Sequence, residues 1–322
     1  MKFLAVIPAR YASTRFPGKP LADLGGKTVI ERVYTQVKKS VDDVYVATDD
    51  QRIFDKVMEF GGKAVMTRND HQSGTDRIYE AYTKIGGCSD VRVNNTRIFV
   101  NRGDILKLSQ DFMVSRETIR KALSIAPAKT ALHQRIREKA LLSKENGGYD
   151  GMSVSDTKIG EGFDVVINIQ GDEPFIRPEQ IDAVKACFDD ASTQIATLVQ
   201  PFKESDGEEA LFNANSPKVV VNKNMEAMYF SRSVIPFVRG KEHKDWLSAY
   251  SRYFKHIGLY AYRADVLAEI TSLPQSPLEK AESLEQLRWL ENGYKIKVGV
   301  TEFGTIGIDT PEDLEKAKSI LL

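Results

Sequence analysis

Short apolar runs alternate with amphipathic segments along most of this chain, and this alternation limits its fold more than any other feature. The runs at 4–7 and 163–169 are mainly apolar, as is typical of parallel strands that are covered on both faces. Helical periodicity follows the first run at 28–38 and recurs at 51–60. Strands that alternate with helices predict an α/β fold with a doubly wound, mostly parallel sheet.

The spacing of the predicted elements changes in the last third of the chain. There, strands follow one another without long intervening helices, which predicts an antiparallel subregion. We expect strands at 4–7, 44–48, 63–67, 163–169, 195–199, 217–221, 227–230, 256–262 and 295–300. We expect helices at 28–38, 51–60, 75–84, 278–291 and 311–321. Thr28 is the expected cap of the first helix, because Glu31 follows three residues later.

The composition is that of an ordinary globular protein. Of the 322 residues, 42% are apolar and 28% are charged, and 45 Lys+Arg balance 45 Asp+Glu. This balance argues against a nucleic-acid or membrane partner for the chain as a whole. Cys88 and Cys187 form neither a disulfide framework nor a zinc spacing, which favours a reducing cytoplasm. No apolar run reaches membrane-spanning length, and the run at 3–7 is too short for a signal peptide.

Residues 87–160 interrupt the pattern. The tetrapeptide at 83–86 recurs at 157–160, and without the 74 residues between, a helix, a glycine turn and a strand follow in sequence. The segment carries 13 Lys+Arg and 8 Asp+Glu, a net charge of +5, whereas the rest carries 32 and 37, a net of −5. We therefore predict one discontinuous domain, 1–86 and 161–322, with a small inserted segment at 87–160.

Inside this segment we expect short helices at 104–111, 115–124 and 129–144. The first two are similar to a helix-turn-helix unit, whose second helix would enter a major groove, so 104–124 could contact nucleic acid weakly. A helical insert with a solvated basic face explains the same residues. Both interpretations stay open on the sequence.

The loop at 8–20 carries three cations directly after the first strand, namely Arg10, Arg15 and Lys19. Open α/β sheets bind ligands at the carboxyl ends of their strands, so these cations can meet a polyanion there. A basic surface loop without function is the alternative.

Two carboxylates also follow strands. Asp172 comes after the apolar run at 163–169, and Asp309 lies between a strand and a helix. Two carboxylates that converge near a triphosphate would hold Mg²⁺. For Asp309, the alternative is a helix cap. Neither a complete Walker A loop nor a Gly-x-Gly-x-x-Gly motif is present, and the four histidines lack zinc spacing.

Taken together, these motifs closely resemble the 3-deoxy-manno-octulosonate cytidylyltransferase family, the CMP-Kdo synthetases. The resemblance spans about 248 residues in the family's order and omits 87–160. The matching segments are 7–15, 17–21, 47–49, 70–77, 170–174, 229–232, 256–260, 284–288 and 307–314. It implies a nucleotide-diphospho-sugar transferase-like, Rossmann-like fold and a homodimer formed through the region after residue 200.

The family's reaction implies CTP and Kdo as substrates, CMP-Kdo and pyrophosphate as products, and a role in lipopolysaccharide biosynthesis. The resemblance assigns Arg10, Arg15 and Lys19 to the triphosphate, and Asp172 and Asp309 to Mg²⁺; these five are the catalytic set. It places Ala9, Ser73, Gly74, Arg77 and Gln170 around the cytidine, together with Arg10 and Lys19. It assigns the binding of the sugar acid to Arg232, His256, Glu285 and Gln286.

Two alternatives remain at this stage. One is a cytidylyltransferase for a related acidic sugar, such as an amino-substituted Kdo. The other is a DNA-binding regulatory protein built on an inactive core. Because 87–160 would enter at the amino edge of the sheet, opposite the catalytic edge, we expect the enzyme to remain active with the segment in place.

Overall fold

The computed structural model describes residues 1–13, 15–71, 73–87, 89–93, 96–100, 162–250 and 252–321. Its strands are β1 (Phe3–Ala9), β2 (Asp43–Thr48), β3 (Ala64–Met66), β4 (Ser89–Val93), β5 (Thr96–Val100), β6 (Val165–Asn168), β7 (Ile195–Pro201), β8 (Lys218–Val221), β9 (Ala227–Ser231), β10 (Phe254–Arg263) and β11 (Ile296–Val300). Its α-helices are α1 (Val29–Val37), α2 (Gln51–Glu59), α3 (Gly74–Tyr82), α4 (Pro178–Ala186), α5 (Gly207–Phe212), α6 (Trp246–Ala249), α7 (Ala264–Thr271), α8 (Pro277–Glu282), α9 (Gln286–Glu291) and α10 (Pro311–Leu321).

Nine of the described strands form one sheet, whose main path is β11-β7-β10-β6-β1-β2-β3. Strands β6, β1, β2 and β3 are mutually parallel, and β11 is parallel to β7. Strand β10 runs antiparallel to both β6 and β7, and the β8–β9 hairpin pairs with its first residues. The mostly parallel sheet and the antiparallel subregion are therefore confirmed.

Helices cover both faces of the sheet. Side chains of α1, α2 and α4 pack on one face, against Ala5, Ile7 and Val46, while α3, α7 and α9 pack on the other, against Leu4 and Val6. All four residues at 4–7 are fully buried, because successive side chains of β1 enter opposite cores. Burying Leu4, Val6 and Ile7 contributes about 1.5–3 kcal/mol for each side chain.

The order of the strands places a switch point between β1 and β6. The chain leaves β1 through α1 toward β2, and it leaves β6 through α4 toward β7, so the two connections run to opposite sides of the β1–β6 pair in the strand order. A crevice opens at the carboxyl ends of two strands whose connections leave in opposite directions, and ligands bind there in open α/β sheets. The loops 8–20 and 170–174 begin at this crevice.

The predicted helix 278–291 is wrong as a single element. Ser283 adopts a left-handed conformation with φ of 51°, which ends α8 and lets the chain restart as α9. Periodicity alone does not reveal this break, because apolar residues continue at helical spacing across it. The break places Glu285 and Gln286 at the start of a helix instead of in its middle.

The predicted helices at 104–111, 115–124 and 129–144 lie outside the described residues. At the start of the segment 87–160, β4 and β5 form an antiparallel hairpin that we did not predict. β-Branched residues flank Asn94-Asn95 in the sequence, a pattern typical of a hairpin. At the other end, the Asp164 amide donates to the Lys2 carbonyl at 2.9 Å, beside the start of β1 and therefore at the amino edge of the sheet.

Candidate active site

The loop after β1 folds around Tyr11. The amides of Ser13 and Gly18 both donate to the Tyr11 carbonyl, at 3.0 and 2.9 Å. Gly18 has φ of 74°, a conformation that glycine adopts without strain, and it begins the short turn that presents Lys19. The Arg52 guanidinium stacks on the Tyr11 ring, 3.3 Å from its centroid. These contacts fix the direction in which the loop's cations point.

Three predicted catalytic side chains meet around the Lys19 ammonium. Lys19 Nζ lies 2.6 Å from Asp172 Oδ2 and 3.2 Å from Asp309 Oδ1. Arg15 Nη2 lies 3.2 Å from the same Asp309 oxygen. The tertiary structure thus joins four of the five residues assigned to catalysis, although they come from three distant parts of the chain.

A close approach of two strand ends brings Asp172 to this place. A Cβ atom on Gly171 would lie 2.6 Å from the Pro8 carbonyl oxygen, so only glycine lets β6 continue past β1 at this distance. The Asp172 carbonyl in turn accepts a hydrogen bond of 2.9 Å from the Ile308 amide. This bond ties the segment that carries Asp309 to the one that carries Asp172.

The cap of α10 is Thr310 rather than Asp309. Thr310 Oγ1 accepts from the Asp313 amide at 3.2 Å, and Asp313 Oδ2 accepts from the Thr310 amide at 3.1 Å. This capping box satisfies the first turn of the helix. The Asp309 carboxylate is therefore directed toward Lys19 and Arg15, and the alternative that it serves as a helix cap is wrong.

The donor set at this place suits a magnesium ion that is shared with phosphate. Asp172 and Asp309 are part-exposed and both contact one ammonium, so they face a common space. Among the described residues, no cluster of three or more His, Cys, Asp or Glu side chains could hold a metal. Burial and the Asp172 carboxylate raise the pKa of Glu173 to about 8, so this neighbour does not add a full third charge at neutral pH. Two carboxylates plus phosphate oxygens form a normal Mg²⁺ site.

The crevice beside these carboxylates is lined by several residues assigned to the nucleotide. It is bounded by Pro8, Ala9, Arg10, Ala12, Ser13, Lys19, Pro20, Gln170, Gly171 and Asp172. Arg10 Nη2 donates to the His71 carbonyl at 2.7 Å, which brings the loop 70–73 to the same edge. Ser73 caps α3 through the Asp76 amide, and Gly74 is the first residue of that helix.

Arg77, also assigned to the nucleotide, is fully buried and does not line this crevice. Its guanidinium lies 3.3 Å from the Asp49 carboxylate and donates to Thr67 Oγ1 at 2.6 Å. It therefore links the ends of β2 and β3 to α3. In this arrangement Arg77 supports the loop that carries Ser73 and Gly74.

The four residues assigned to the sugar lie around β10 and the break between α8 and α9. His256 Nε2 is 3.1 Å from Thr197 Oγ1, and the ring contacts Phe230. Burial lowers the pKa of His256 to about 3, so the imidazole is neutral at pH 7. Glu285 accepts a hydrogen bond of 2.8 Å from Thr75 Oγ1, and burial raises the pKa of its carboxyl.

Arg232 and Gln286 differ in how their polar groups are satisfied. The Arg232 guanidinium donates to three backbone carbonyls, at 2.7–3.3 Å. Gln286 is buried, and its Nε2 has no partner. Buried polar groups are normally paired, so an unpaired donor marks a place where a polar ligand or water is expected.

The sequence analysis missed several polar residues of this region. Asn168 Oδ1 and the hydroxyls of Tyr260 and Tyr262 are buried without a partner, on the same face of the sheet as α3 and α9. Asn168 and Tyr260 are register neighbours on β6 and β10. The only signal in the sequence is the presence of polar side chains in strands that are otherwise apolar.

Comparisons with known proteins agree with this fold and show the family. A family model described as cytidylyltransferase matches residues 4–143 and 152–296. A 3-deoxy-manno-octulosonate cytidylyltransferase of Parabacteroides distasonis is 54% identical over 322 residues, which cover 100% of this chain and 98% of the relative. A protein of the same name from Phocaeicola vulgatus is 54% identical over 321 residues, with coverage of 100% and 98%.

A solved structure gives the same result. It is described as CMP:2-keto-3-deoxy-manno-octonic acid synthetase complexed with CTP; it is 34% identical, has a TM-score of 0.69, and the match covers 100% of this chain and 98% of that chain. A glucose-1-phosphate thymidylyltransferase of Bacillus anthracis shares the fold, with a TM-score of 0.51 at 12% identity. The fold is that of a nucleotidyltransferase. Within that class, the chain belongs to the 3-deoxy-manno-octulosonate cytidylyltransferases.

Proposed function

We propose that this protein transfers CMP from CTP to the anomeric hydroxyl of Kdo and releases pyrophosphate. The observation that carries the proposal is the meeting of Lys19, Arg15, Asp172 and Asp309 at the carboxyl ends of β1 and β6. The names of the relatives, and the CTP in the related solved structure, support the choice of CTP and Kdo. The product fits a role in lipopolysaccharide biosynthesis.

The reaction is an in-line displacement at the α-phosphate. The anomeric hydroxyl gives its proton to solvent, and its oxygen forms a bond to the α-phosphorus while the bond from that phosphorus to the bridging oxygen breaks. Pyrophosphate leaves with the electron pair of the broken bond. Such a reaction needs positioning and charge neutralisation more than covalent catalysis. Arg10, Arg15 and Lys19 would bind the triphosphate oxygens and neutralise their charge. The arginines can bind as forks, and Lys19 as a point charge.

Asp172 and Asp309 would hold Mg²⁺ as the phosphate oxygens arrive. When bound, the ion polarises the phosphoryl group and orients the triphosphate. In the structure Lys19 bridges the two carboxylates and Arg15 pairs with Asp309, so two positive charges offset the repulsion between the carboxylates before nucleotide binds. Ala9, Ser73, Gly74 and Gln170 would surround the cytidine, with Arg77 holding the loop beneath them.

The sugar acid would bind at Arg232, His256, Glu285 and Gln286. A neutral His256 can orient a hydroxyl by hydrogen bonding without adding charge. The partly buried carboxyl of Glu285 and the unpaired amide nitrogen of Gln286 offer further hydroxyl partners. An amino-substituted Kdo would meet the same groups, and kcat/KM for the two sugars measured in competition separates these substrates.

Release of pyrophosphate tests the reaction directly. The intact chain with CTP, Kdo and MgCl₂ should form CMP-Kdo and pyrophosphate in equal amounts, and chelation of the metal should stop it. Asp172→Asn should lower kcat/KM at least about 100-fold, because an uncharged amide is a poor Mg²⁺ ligand. Asp182→Asn is the matched control, since this carboxylate lies on α4 in a surface pair with Lys185. No pyrophosphate from the intact chain contradicts the proposal.

We also propose a cytoplasmic homodimer. None of the described helices has the length and apolar character needed to span a membrane. Met228 and Phe237 in the region after residue 200 are 64% and 70% exposed, and burying such side chains favours association. Light scattering of the purified chain gives the mass, and a monomer at micromolar concentration contradicts the dimer.

A further inference from the structure

Lys218 is a buried cation that the proposed reaction does not use. Its side chain is fully buried at the start of β8. The ammonium donates three hydrogen bonds of 2.9 Å, to the carbonyls of Asn213, Ser216 and Arg232. Burial lowers the pKa of Lys218 to about 8, so the group is still mainly charged at neutral pH. A buried ammonium is costly unless its donors are satisfied, and here backbone oxygens satisfy them.

Lys218 and Arg232 hold the same loop from opposite sides. Lys218 binds the carbonyls on either side of Ala214, and Arg232 Nη1 donates to the Ala214 carbonyl itself at 3.0 Å. Because Lys218 also binds the Arg232 carbonyl, the backbone of Arg232 is fixed at the point where its side chain begins. The His256 amide donates to the Pro217 carbonyl, one residue before Lys218.

One carboxylate faces these two cations. Glu282 Oε1 accepts from the Ser231 hydroxyl at 2.7 Å, and Oε2 accepts from the Arg232 amide at 2.9 Å. Lys255 lies opposite Lys218 in the strand register and adds no negative charge. The surroundings of the Arg232 guanidinium therefore have a net positive charge. Glu282 balances one of the two cations, and Lys218 supplies the positive charge that remains.

We propose that Lys218 is a positioning residue for Arg232 and sets the positive charge that selects a carboxylate-bearing sugar. This inference rests on the proposed function, because it takes Arg232 as part of the sugar site. Lys218 acts through two effects. It fixes the Arg232 backbone, and its charge lowers the energy of an anion near the guanidinium. The second effect grows as the surroundings become less polar.

Two variants of opposite charge separate this role from a merely structural one. Lys218→Met removes the cation and should raise KM for Kdo about tenfold, with KM for CTP within about twofold. Glu282→Gln removes the anion but keeps both hydrogen bonds, because the amide oxygen can accept from Arg232 and the amide nitrogen can donate to Ser231. It should lower KM for Kdo, by about threefold. Lys223→Met, at an exposed lysine in the β8–β9 turn, is the control and should change neither constant.

Inhibition by a neutral sugar gives a further readout. Two kinds of unreactive Kdo analogue are compared as inhibitors: Kdo carboxamide, which is neutral, and analogues that keep the carboxylate. In the wild type the carboxylates should have the lower inhibition constants. Lys218→Met should reduce the ratio of the two inhibition constants about fivefold. Two results would overturn the proposal. One is a shift of KM for Kdo in the same direction in Lys218→Met and Glu282→Gln. The other is a rise of KM for CTP in Lys218→Met as large as the rise of KM for Kdo. If Lys218→Met does not fold, Glu282→Gln still decides it by the direction of its effect. Failure of the proposed function is distinct, because the wild type would then release no pyrophosphate.

Discussion

Neighbouring charges and burial determine whether each ionisable side chain at this site is charged. Lys19 lies between two carboxylates and so keeps them close together. Partial burial, and then the neighbouring Asp172 carboxylate, raise the pKa of Glu173. His256 shows the opposite response to burial, since its charged form is the protonated one. The same physical cause therefore leaves one acid and one base uncharged near neutral pH.

His256 should make stability depend on pH. Its folded-state pKa of about 3 lies below the unfolded value of 6.5, so its contribution is complete above pH 6.5 and is lost as pH falls toward 3. Because the ring is only half-buried, we expect a loss of about 1–2 kcal/mol between pH 7.5 and 5. Urea unfolding of the wild type and of His256→Gln at both pH values measures it. An equal pH dependence in the two proteins would contradict this assignment.

At the scale of elements, the site depends on where strands end and where a helix breaks. Strands β1 and β6 end together, so their loops face each other, and the Ile308–Asp172 bond adds the loop before α10. Ser283 interrupts a run that would otherwise form one helix, and the break aims Glu285 at Thr75 on α3. The part of the site assigned to the sugar therefore depends on the break between α8 and α9.

Gly171→Ala should disturb both stability and activity. The added Cβ would lie 2.6 Å from the Pro8 carbonyl oxygen, so β1 and β6 must separate at their carboxyl ends. We expect a cost of about 1–3 kcal/mol in unfolding free energy and at least about a tenfold loss of kcat/KM, because Asp172 moves with the strand. Gly162→Ala is the control, since its Cβ would meet no atom within 4 Å. Wild-type stability in Gly171→Ala would refute this explanation.

At the scale of the whole molecule, the binding crevice and the residues that follow the segment 87–160 lie at different edges of the sheet. The crevice lies at the carboxyl ends of the parallel strands, and Asp164 rejoins the sheet beside Lys2 at the amino edge. Long insertions in surface connections cost little free energy, because loop-closure entropy grows slowly with length. That 87–160 is a separate insert stays a prediction.

Removal of 87–160 should leave the reaction intact. Joining residue 86 to 161 restores a short connection between α3 and β6, so we expect kcat/KM for CTP and Kdo within about threefold of the full chain. Pyrophosphate release and light scattering on both proteins measure activity and assembly. A folded deletion protein without activity would show that the segment contributes to the site.

The sequence by itself determined the layered α/β fold and the position of a cationic loop directly after the first strand. The mainly apolar runs at 4–7 and 163–169 favour burial on both faces, and the loop that follows such a strand in a parallel sheet lies at the ligand-binding edge. Arg10, Arg15, Lys19 and Asp172 were singled out in this way, since charge in a loop that follows an apolar strand is a local signal, whereas Asp309 was assigned to a metal through the family resemblance.

Only the tertiary structure decided which of these groups meet and what each one does. The ion pairs of Lys19, the capping role of Thr310 and the buried position of Arg77 depend on contacts between residues far apart in the chain. The burial and hydrogen bonds of Lys218 also depend on such contacts, and the sequence shows this residue only as one lysine in a predicted strand. The burial of a side chain and the direction in which it points are decided by packing, because both depend on the neighbours that folding brings together.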